Sequence, residues 1–333
     1  LRRREEMGVE LNRPKSITQI IFEKYKKVVV AFILIILLFV LGEIILSNFL
    51  RVDQVLLTLK LASFTAFFAL CQMIVISAGG GGLDLSVGYM ATMTAVFTAS
   101  IMDGQNGNLW IAVIVALAFG VAVGLSNGLL TAYLKLPPLV VTMAMANILQ
   151  GIINVYTAGR NITGKPSPVL TIIAAKSTGS FPNVVFILIV LTILVMIVLN
   201  KTKLGMILFG VGSNERTAYL SGFNVKLVRC IAFTISGVLA SLIGLLLIGN
   251  MGIAFKDMGS NYVMPSIAAA VVGGVSLSGG DGNYFGVILG AIFLQTLTNL
   301  LIAMGWGDAG KWLGFGIVLF ALLIVYVSNR RTR

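Results

Sequence analysis

The stretch AGGGGLDLSVGYM, Ala78 to Met90, stands between two long apolar runs. Glycine weakens a helix by about 1 kcal/mol relative to alanine, and a carboxylate within hydrocarbon costs roughly 3 kcal/mol more. Both liabilities in one place call for a local purpose. Unwound backbone at membrane depth is tolerated where it lines a cavity or is buried in protein. The glycines would then let segments approach closely and expose backbone polar groups, with simple small-residue helix packing as the alternative. Asp84 is expected to cap the helix whose first turn is Leu85, Ser86 and Val87, with Ser86 sharing the task. Direct contact with a solute is the alternative role for that carboxylate.

The rest of the chain makes the membrane setting explicit. Of 333 residues, 58% are apolar and 11% charged, with a mean hydropathy of +1.00, whereas about a quarter of the residues in soluble domains are charged. The reading is an all-α polytopic membrane protein. A net charge of +12 could suggest nucleic acid, but the basic residues sit at the ends of apolar runs rather than in a stripe interleaved with aromatics, so no nucleic-acid partner is expected. Histidine is absent and only Cys71 and Cys230 are present. That weighs against a zinc site or a Ser-His-Asp triad, and both thiols are expected to be buried and unpaired. No metal and no cofactor is expected.

About ten windows have the length and apolarity of a membrane span of about 20 residues. They cover 28–46, 55–78, 85–102, 109–133, 138–158, 183–200, 229–251, 262–279, 283–304 and 311–328, the third and eighth being short and broken by glycine. Residues 1–27 read as a cytoplasmic lead, 28–328 as the transmembrane domain and 329–333 as a cytoplasmic tail. With both termini inside, 17 of the 24 basic residues fall on the inner side, as the positive-inside rule requires. Two longer loops remain: 159–182 outside, with Arg160, Lys165 and Lys176, and 201–228 inside.

The glycine-rich break recurs downstream. GGLDLSVG, residues 81–88, matches GGVSLSGG, residues 273–280, at five of eight positions. An internal repeat of broken helices is a sequence pointer to a transport site. The candidate path residues are therefore Gly81, Gly82, Asp84, Ser86 and Gly88 in the first break, and Gly273, Gly274, Ser276, Gly279 and Gly280 in the second. Asp281 precedes the helix expected to start near Asn283, and a pair of intramembrane aspartates raises the question of an aspartyl protease. That chemistry expects Gly-x-Gly-Asp, and Leu83 precedes Asp84 here. A secondary transporter or channel with its own coupling ion is a further alternative. It would place ionisable groups near midspan, whereas Glu43 and Lys60 lie near span ends and can snorkel.

Three motifs together resemble the permease subunits of bacterial ABC importers for ribose and related simple sugars, the branch that includes autoinducer-2 permeases. GGLDLSVG resembles that family's Gly-Gly-Ile-Asp-Leu-Ser-Val-Gly, GSNERTAYLSGFNV (212–225) its cytoplasmic Gly-Gly-Asn…Leu-Ser-Gly-Ile loop, and VVGGVSLSGGDGNYFGVILGA its C-terminal Gly-Gly-Thr-Ser-Leu-x-Gly-Gly block. The resemblance runs over roughly residues 30–328. Departures occur at the two extra glycines before Gly81, at Ser213 and at Thr217.

This resemblance implies a multi-pass protein of the bacterial inner membrane, working as a homo- or heterodimer. An ATP-hydrolysing ABC subunit would bind inside and an extracytoplasmic solute-binding protein outside. The chain has no Gly-x4-Gly-Lys-Ser/Thr phosphate loop, which agrees with a conduit that is not itself the ATPase. The segment around Gly212, Asn214, Glu215, Leu220, Ser221 and Gly222 is then the ATPase-coupling loop, docking by its Leu and Tyr side. Partners for a neutral polyol could come from Asn127, Asn147, Gln150, Asn154, Tyr156, Gln295 and Asn299, any of which could equally bridge helices.

Overall fold

A computed structural model describes residues 17–158 and 164–331. The start of the expected lead, Arg160 and the last two residues of the expected tail lie outside the described residues. The chain is helical almost throughout. Its helices are α1 (Ile17–Ile45), α2 (Val52–Ser77), α3 (Val87–Met102), α4 (Leu109–Ala132), α5 (Pro138–Thr157), α6 (Pro168–Ala174), α7 (Asn183–Lys201), α8 (Lys203–Ser213), α9 (Glu215–Leu220), α10 (Val225–Met251), α11 (Val263–Val272), α12 (Tyr284–Ala303) and α13 (Gly307–Arg331). A two-residue hairpin of β1 (Ser177–Thr178) and β2 (Phe181–Pro182) lies between α6 and α7.

Local chemistry sets many of these boundaries. Pro138 and Pro168 open α5 and α6, where a missing N–H costs nothing. Side-chain oxygens of Thr202, Asn214, Asn224 and Asn283 cap α8, α9, α10 and α12 by accepting from backbone N–H groups of the first turn. Gly252 ends α10 in the left-handed conformation.

Seven helices among the described residues are long and apolar enough to cross a bilayer: α1, α2, α4, α5, α7, α10 and α12. The remaining expected windows fall on α3, α11 and α13. At 16 and 10 residues, α3 and α11 span about 24 Å and about 15 Å against a hydrocarbon core of about 30 Å, so neither crosses alone. The glycine-rich stretches 78–86 and 273–283 are what shortens them.

Burial separates centre from rim. The hydrophobic stretch of α2 is 83% buried and that of α10 61%, against 17% for α1 and α7. Large apolar side chains such as Ile33, Trp110, Val155 and Ile193 point outward around the rim, the expected surface for a protein whose solvent there is lipid. At the centre α10 packs on α4, α3 and α2. Gly120, Gly124 and Gly128 allow α4 to lie directly on α10: a Cβ on Gly124 would sit 2.7 Å from the Thr234 Cα, and one on Gly128 2.8 Å from the Cys230 Cα. Such close crossings gain dispersion contacts where burial from water supplies no driving force. Cys71 and Cys230 are buried and unpaired.

Candidate functional site

The two glycine-rich breaks, about 200 residues apart in sequence, meet in space. Gly280 N–H donates to the Ser77 carbonyl at the end of α2 (3.1 Å). A Cβ on Gly279 would lie 2.6 Å from the Gly79 Cα, and both glycines have positive φ, +84° and +76°. The end of α8 completes the junction. A Cβ on Gly212 would clash with the Ser77 carbonyl and lie 2.5 Å from the Gly280 nitrogen, and the Ser213 hydroxyl donates to the Gly280 carbonyl (3.2 Å). Three segments therefore touch backbone to backbone, which only residues without side chains permit.

The other motif residues divide by role. Gly82 packs on the Val75 carbonyl (2.5 Å from a built Cβ), Gly88 on the Gly259 carbonyl (2.5 Å) and Gly273 on the Val287 Cα (2.5 Å). Gly274 has a φ of +93° where α11 ends. Ser276 shapes the second loop through its backbone, donating to the Asp281 carbonyl (3.1 Å) and accepting from Gly279 N–H (2.9 Å). Gly81 differs, being exposed with nothing within 4 Å of a built Cβ.

Asp84 is 1% exposed and ties four helices together. Its backbone is held by Gln72 of α2, whose Nε2 donates to the Asp84 carbonyl (2.7 Å) and whose Oε1 accepts from Asp84 N–H (3.2 Å). Its Oδ1 accepts from the Ser86 N–H (3.0 Å) and the Ser86 hydroxyl (2.6 Å), and its Oδ2 from the Ser236 hydroxyl of α10 (3.1 Å). Asn127 of α4 extends the network by donating to Ser86 Oγ (2.9 Å). The expected cap is thus displaced: Asp84 binds the N–H of the residue before α3, and Ser86 makes no capping bond to the helix. The Ser86 hydroxyl instead accepts from Asn127, because α4 reaches it across the core. With both oxygens occupied by protein donors, Asp84 is a structural hub.

The 201–228 segment runs from the last residue of α7 through α8, α9 and a turn into the first residues of α10. Asn214 Oδ1 accepts from Thr217 N–H (3.0 Å) to start α9, the Ser221 hydroxyl donates to the Thr217 carbonyl (2.9 Å), and Gly222 turns at a φ of +86°. Ala218 is buried while Tyr219 and Leu220 are 71% and 76% exposed. Glu215 forms an ion pair with Arg229 (2.9 Å) at the start of α10. Arg229 Nε also donates to the Ala78 carbonyl (3.3 Å), and its guanidinium lies beside Gly80. One arginine therefore bridges α9 to the first glycine-rich break.

The candidate polyol partners scatter. Asn127 belongs to the Asp84 network. Asn147, Asn154 and Tyr156 are exposed on α5 and Gln150 is half-buried there, with the Tyr156 ring stacked on Phe97 (centroids 4.0 Å apart). Asn299 bridges helices, accepting from Gln295 Nε2 (2.9 Å) and donating to Thr58 Oγ1 (2.8 Å). Gln295 alone among them lines an open cleft of about 230 Å³ between α2, the 251–265 segment, α12 and α13. Sequence reading missed Gln72, Ser236 and Arg229. Gln72 is an isolated polar residue in an apolar run, and that isolation was the available signal, whereas Ser236, close to Thr234, and Arg229, close to Lys226 at the start of its run, carried no such mark.

The chain matches the family described as branched-chain amino acid transport system / permease component over residues 54–327, and it belongs to that family. It is 31% identical over 287 residues to the ribose import permease protein RbsC of Escherichia coli (strain K12), a match covering 85% of this chain and 88% of the relative. The ribose import permease protein RbsC of Haemophilus influenzae is 32% identical over 274 residues, covering 81% and 84%. The autoinducer 2 import system permease protein LsrC of Shigella flexneri is 29% identical over 307 residues, covering 91% and 87%. No solved structure matches the chain. It is a multi-pass membrane permease, a transport subunit rather than an enzyme.

Proposed function

We propose that this member of the permease family forms the translocation path of an ATP-binding cassette importer for a simple sugar or a related small polar solute, driven by a separate ATPase. In this reading ten segments thread the membrane, with α3 and α11 completed by the glycine-rich breaks, and both termini lie in the cytoplasm. The distribution of basic residues supports that orientation, with Lys201, Lys203, Arg216, Lys226 and Arg229 in or beside the α8–α9 segment. A second permease chain completes the transporter, and a solute-binding protein docks on the opposite face, around the 159–182 loop.

One observation carries the reading. The α8–α9 segment offers Tyr219 and Leu220 outward while the joint between its two helices, Gly212 and Ser213, is wedged into both glycine-rich breaks. Exposed tyrosine and leucine on a charged surface are the anchors by which a short helix seats in a partner's groove. A push on α9 would be transmitted by the Arg229 side chain and by the direct backbone contacts of Gly212. Gly81, Gly82, Asp84, Ser86 and Gly88, with Gly273, Gly274, Ser276, Gly279 and Gly280, then form the inner gate of the path and its supports.

The test is uptake of labelled sugars by cells carrying this chain with its cognate ATPase and binding protein, combined with crosslinking. Tyr219→Cys in a Cys71→Ser, Cys230→Ser background should crosslink to the ATPase and resist an impermeant thiol reagent added to intact cells. Uptake that persists when the ATPase is inactivated refutes the ATP-driven reading, and outside labelling of Tyr219→Cys refutes the orientation.

A further inference from the structure

The cleft of about 230 Å³ lies far from the glycine junction, toward the opposite ends of α2 and α12, where the chain leaves α10 and enters α11. Its lining has a specific chemistry. Thr65, Asn261, Tyr262 and Gln295 bring a hydroxyl, an amide, a phenol and a second amide to one space. Among the described residues, no protein group hydrogen-bonds the side-chain polar atoms of Thr65, Asn261 or Tyr262, and Gln295 uses only its Nε2, on Asn299. The Thr65, Tyr262 and Gln295 atoms are not sealed, unsatisfied groups, and Asn261 is exposed, so all four residues line the cleft with access to solvent. Groups with that access are free to exchange water for the hydroxyls of a ligand.

Two aromatic rings flank these groups. Phe255 lines the space from the segment after α10, and the Tyr262 ring is fixed by stacking on Phe68 (centroids 5.1 Å apart, planes 18° apart). An aromatic face beside amide and hydroxyl groups fits a ring bearing hydroxyls on its edge and C–H bonds on its face. Charge decides the ligand's sign. The one ionic group in the lining, Lys311, is already paired with Asp308 (2.8 Å), so no free charge awaits a carboxylate or phosphate. The volume falls below the ~300–1,000 Å³ of pockets for drug-sized ligands, which selects a small solute.

We propose that this cleft is a waiting site for a small, neutral, polyhydroxylated solute within a single permease chain, on the side of entry, before the glycine-rich gate. The site rests on the transport function proposed above. Asn261 and Gln295 hydrogen-bond ring hydroxyls, Thr65 and the Tyr262 hydroxyl complete the set, and Phe255 packs on the apolar face. Specificity is then read twice, once by the binding protein and again by these side chains.

Asn261→Leu and Gln295→Leu test the site in the complete transporter, with labelled D-ribose and a panel of labelled pentoses and hexoses as probes. Each variant should raise the KM for uptake of the transported sugar about tenfold, with membrane abundance and basal ATP hydrolysis by the assembled complex unchanged. Among the described residues the Asn261 side chain makes no hydrogen bond, so its variant keeps the test valid if Gln295→Leu disturbs α12 through Asn299. Thr298→Cys, at another residue that lines the cleft, should be protected from a thiol reagent by the same sugar. Unchanged KM in both variants, or no protection, overturns the waiting site and leaves the transport function standing. No uptake of any sugar by the unaltered transporter overturns the transport function and the waiting site with it.

Discussion

Replacing Asp84 separates a structural hub from a solute ligand. The carboxylate accepts three hydrogen bonds, from the Ser86 N–H, the Ser86 hydroxyl and the Ser236 hydroxyl. In Asp84→Asn the amide oxygen retains both Ser86 donors, and the new NH2 group faces the Ser236 hydroxyl, which can accept instead of donate. Weakening each bond from charge-assisted to neutral loses about 1 kcal/mol, roughly 3 kcal/mol in total. Relief of burying a carboxylate offsets several kcal/mol, so the net change should be within about 1 kcal/mol. Asp84→Leu retains none of the three bonds. The two serine hydroxyls can turn to helix carbonyls, but the Ser86 N–H is fixed, and the variant should lose about 2–4 kcal/mol at ~1–3 kcal/mol per stranded donor. The assay pairs thermal unfolding of the purified protein with sugar uptake at measured membrane abundance. Asp84→Asn should keep both near normal and Asp84→Leu should lower both. Loss of uptake in Asp84→Asn with unchanged unfolding and abundance would refute the hub and make the carboxylate a participant in transport.

The glycines of the breaks should not respond alike. Gly81→Ala meets no neighbour and should cost only the left-handed backbone, about 1–2 kcal/mol, whereas Gly279→Ala adds a contact of 2.6 Å with the Gly79 Cα and should abolish uptake or folded protein; equal effects on abundance and uptake would contradict the backbone junction. Arg229→Gln removes the ion pair to Glu215 and weakens the link to Ala78. In the assembled transporter it should lower sugar uptake per ATP hydrolysed several-fold with ATPase binding retained, and an unchanged ratio would show that Arg229 carries no coupling.

The membrane class, the positions of the long apolar helices and both breaks follow from sequence, because hydrophobic length and glycine are local properties that the bilayer reads directly; α6 and α8 lie in stretches that read as loops. The windows at 85–102 and 262–279 already showed their weakness as short, glycine-interrupted runs, and these are α3 and α11. The motifs likewise located the glycine junction, since the repeat of Gly-Gly and Leu-Ser marked both breaks before any contact was known. Contacts between distant segments are another matter. That Gly79, Gly212 and Gly279 share one junction, that Ser236 and Asn127 serve the Asp84 network, and that Arg229 spans from α9 to Ala78 depend on how helices far apart in the chain lie against one another. A glycine or a lone serine in an apolar run looks the same whether it faces lipid, a neighbouring helix or a solute. Only packing, by fixing which backbone comes within hydrogen-bond distance of which side chain, made Asp84 a hub and left Asn261 and Gln295 facing an open cleft.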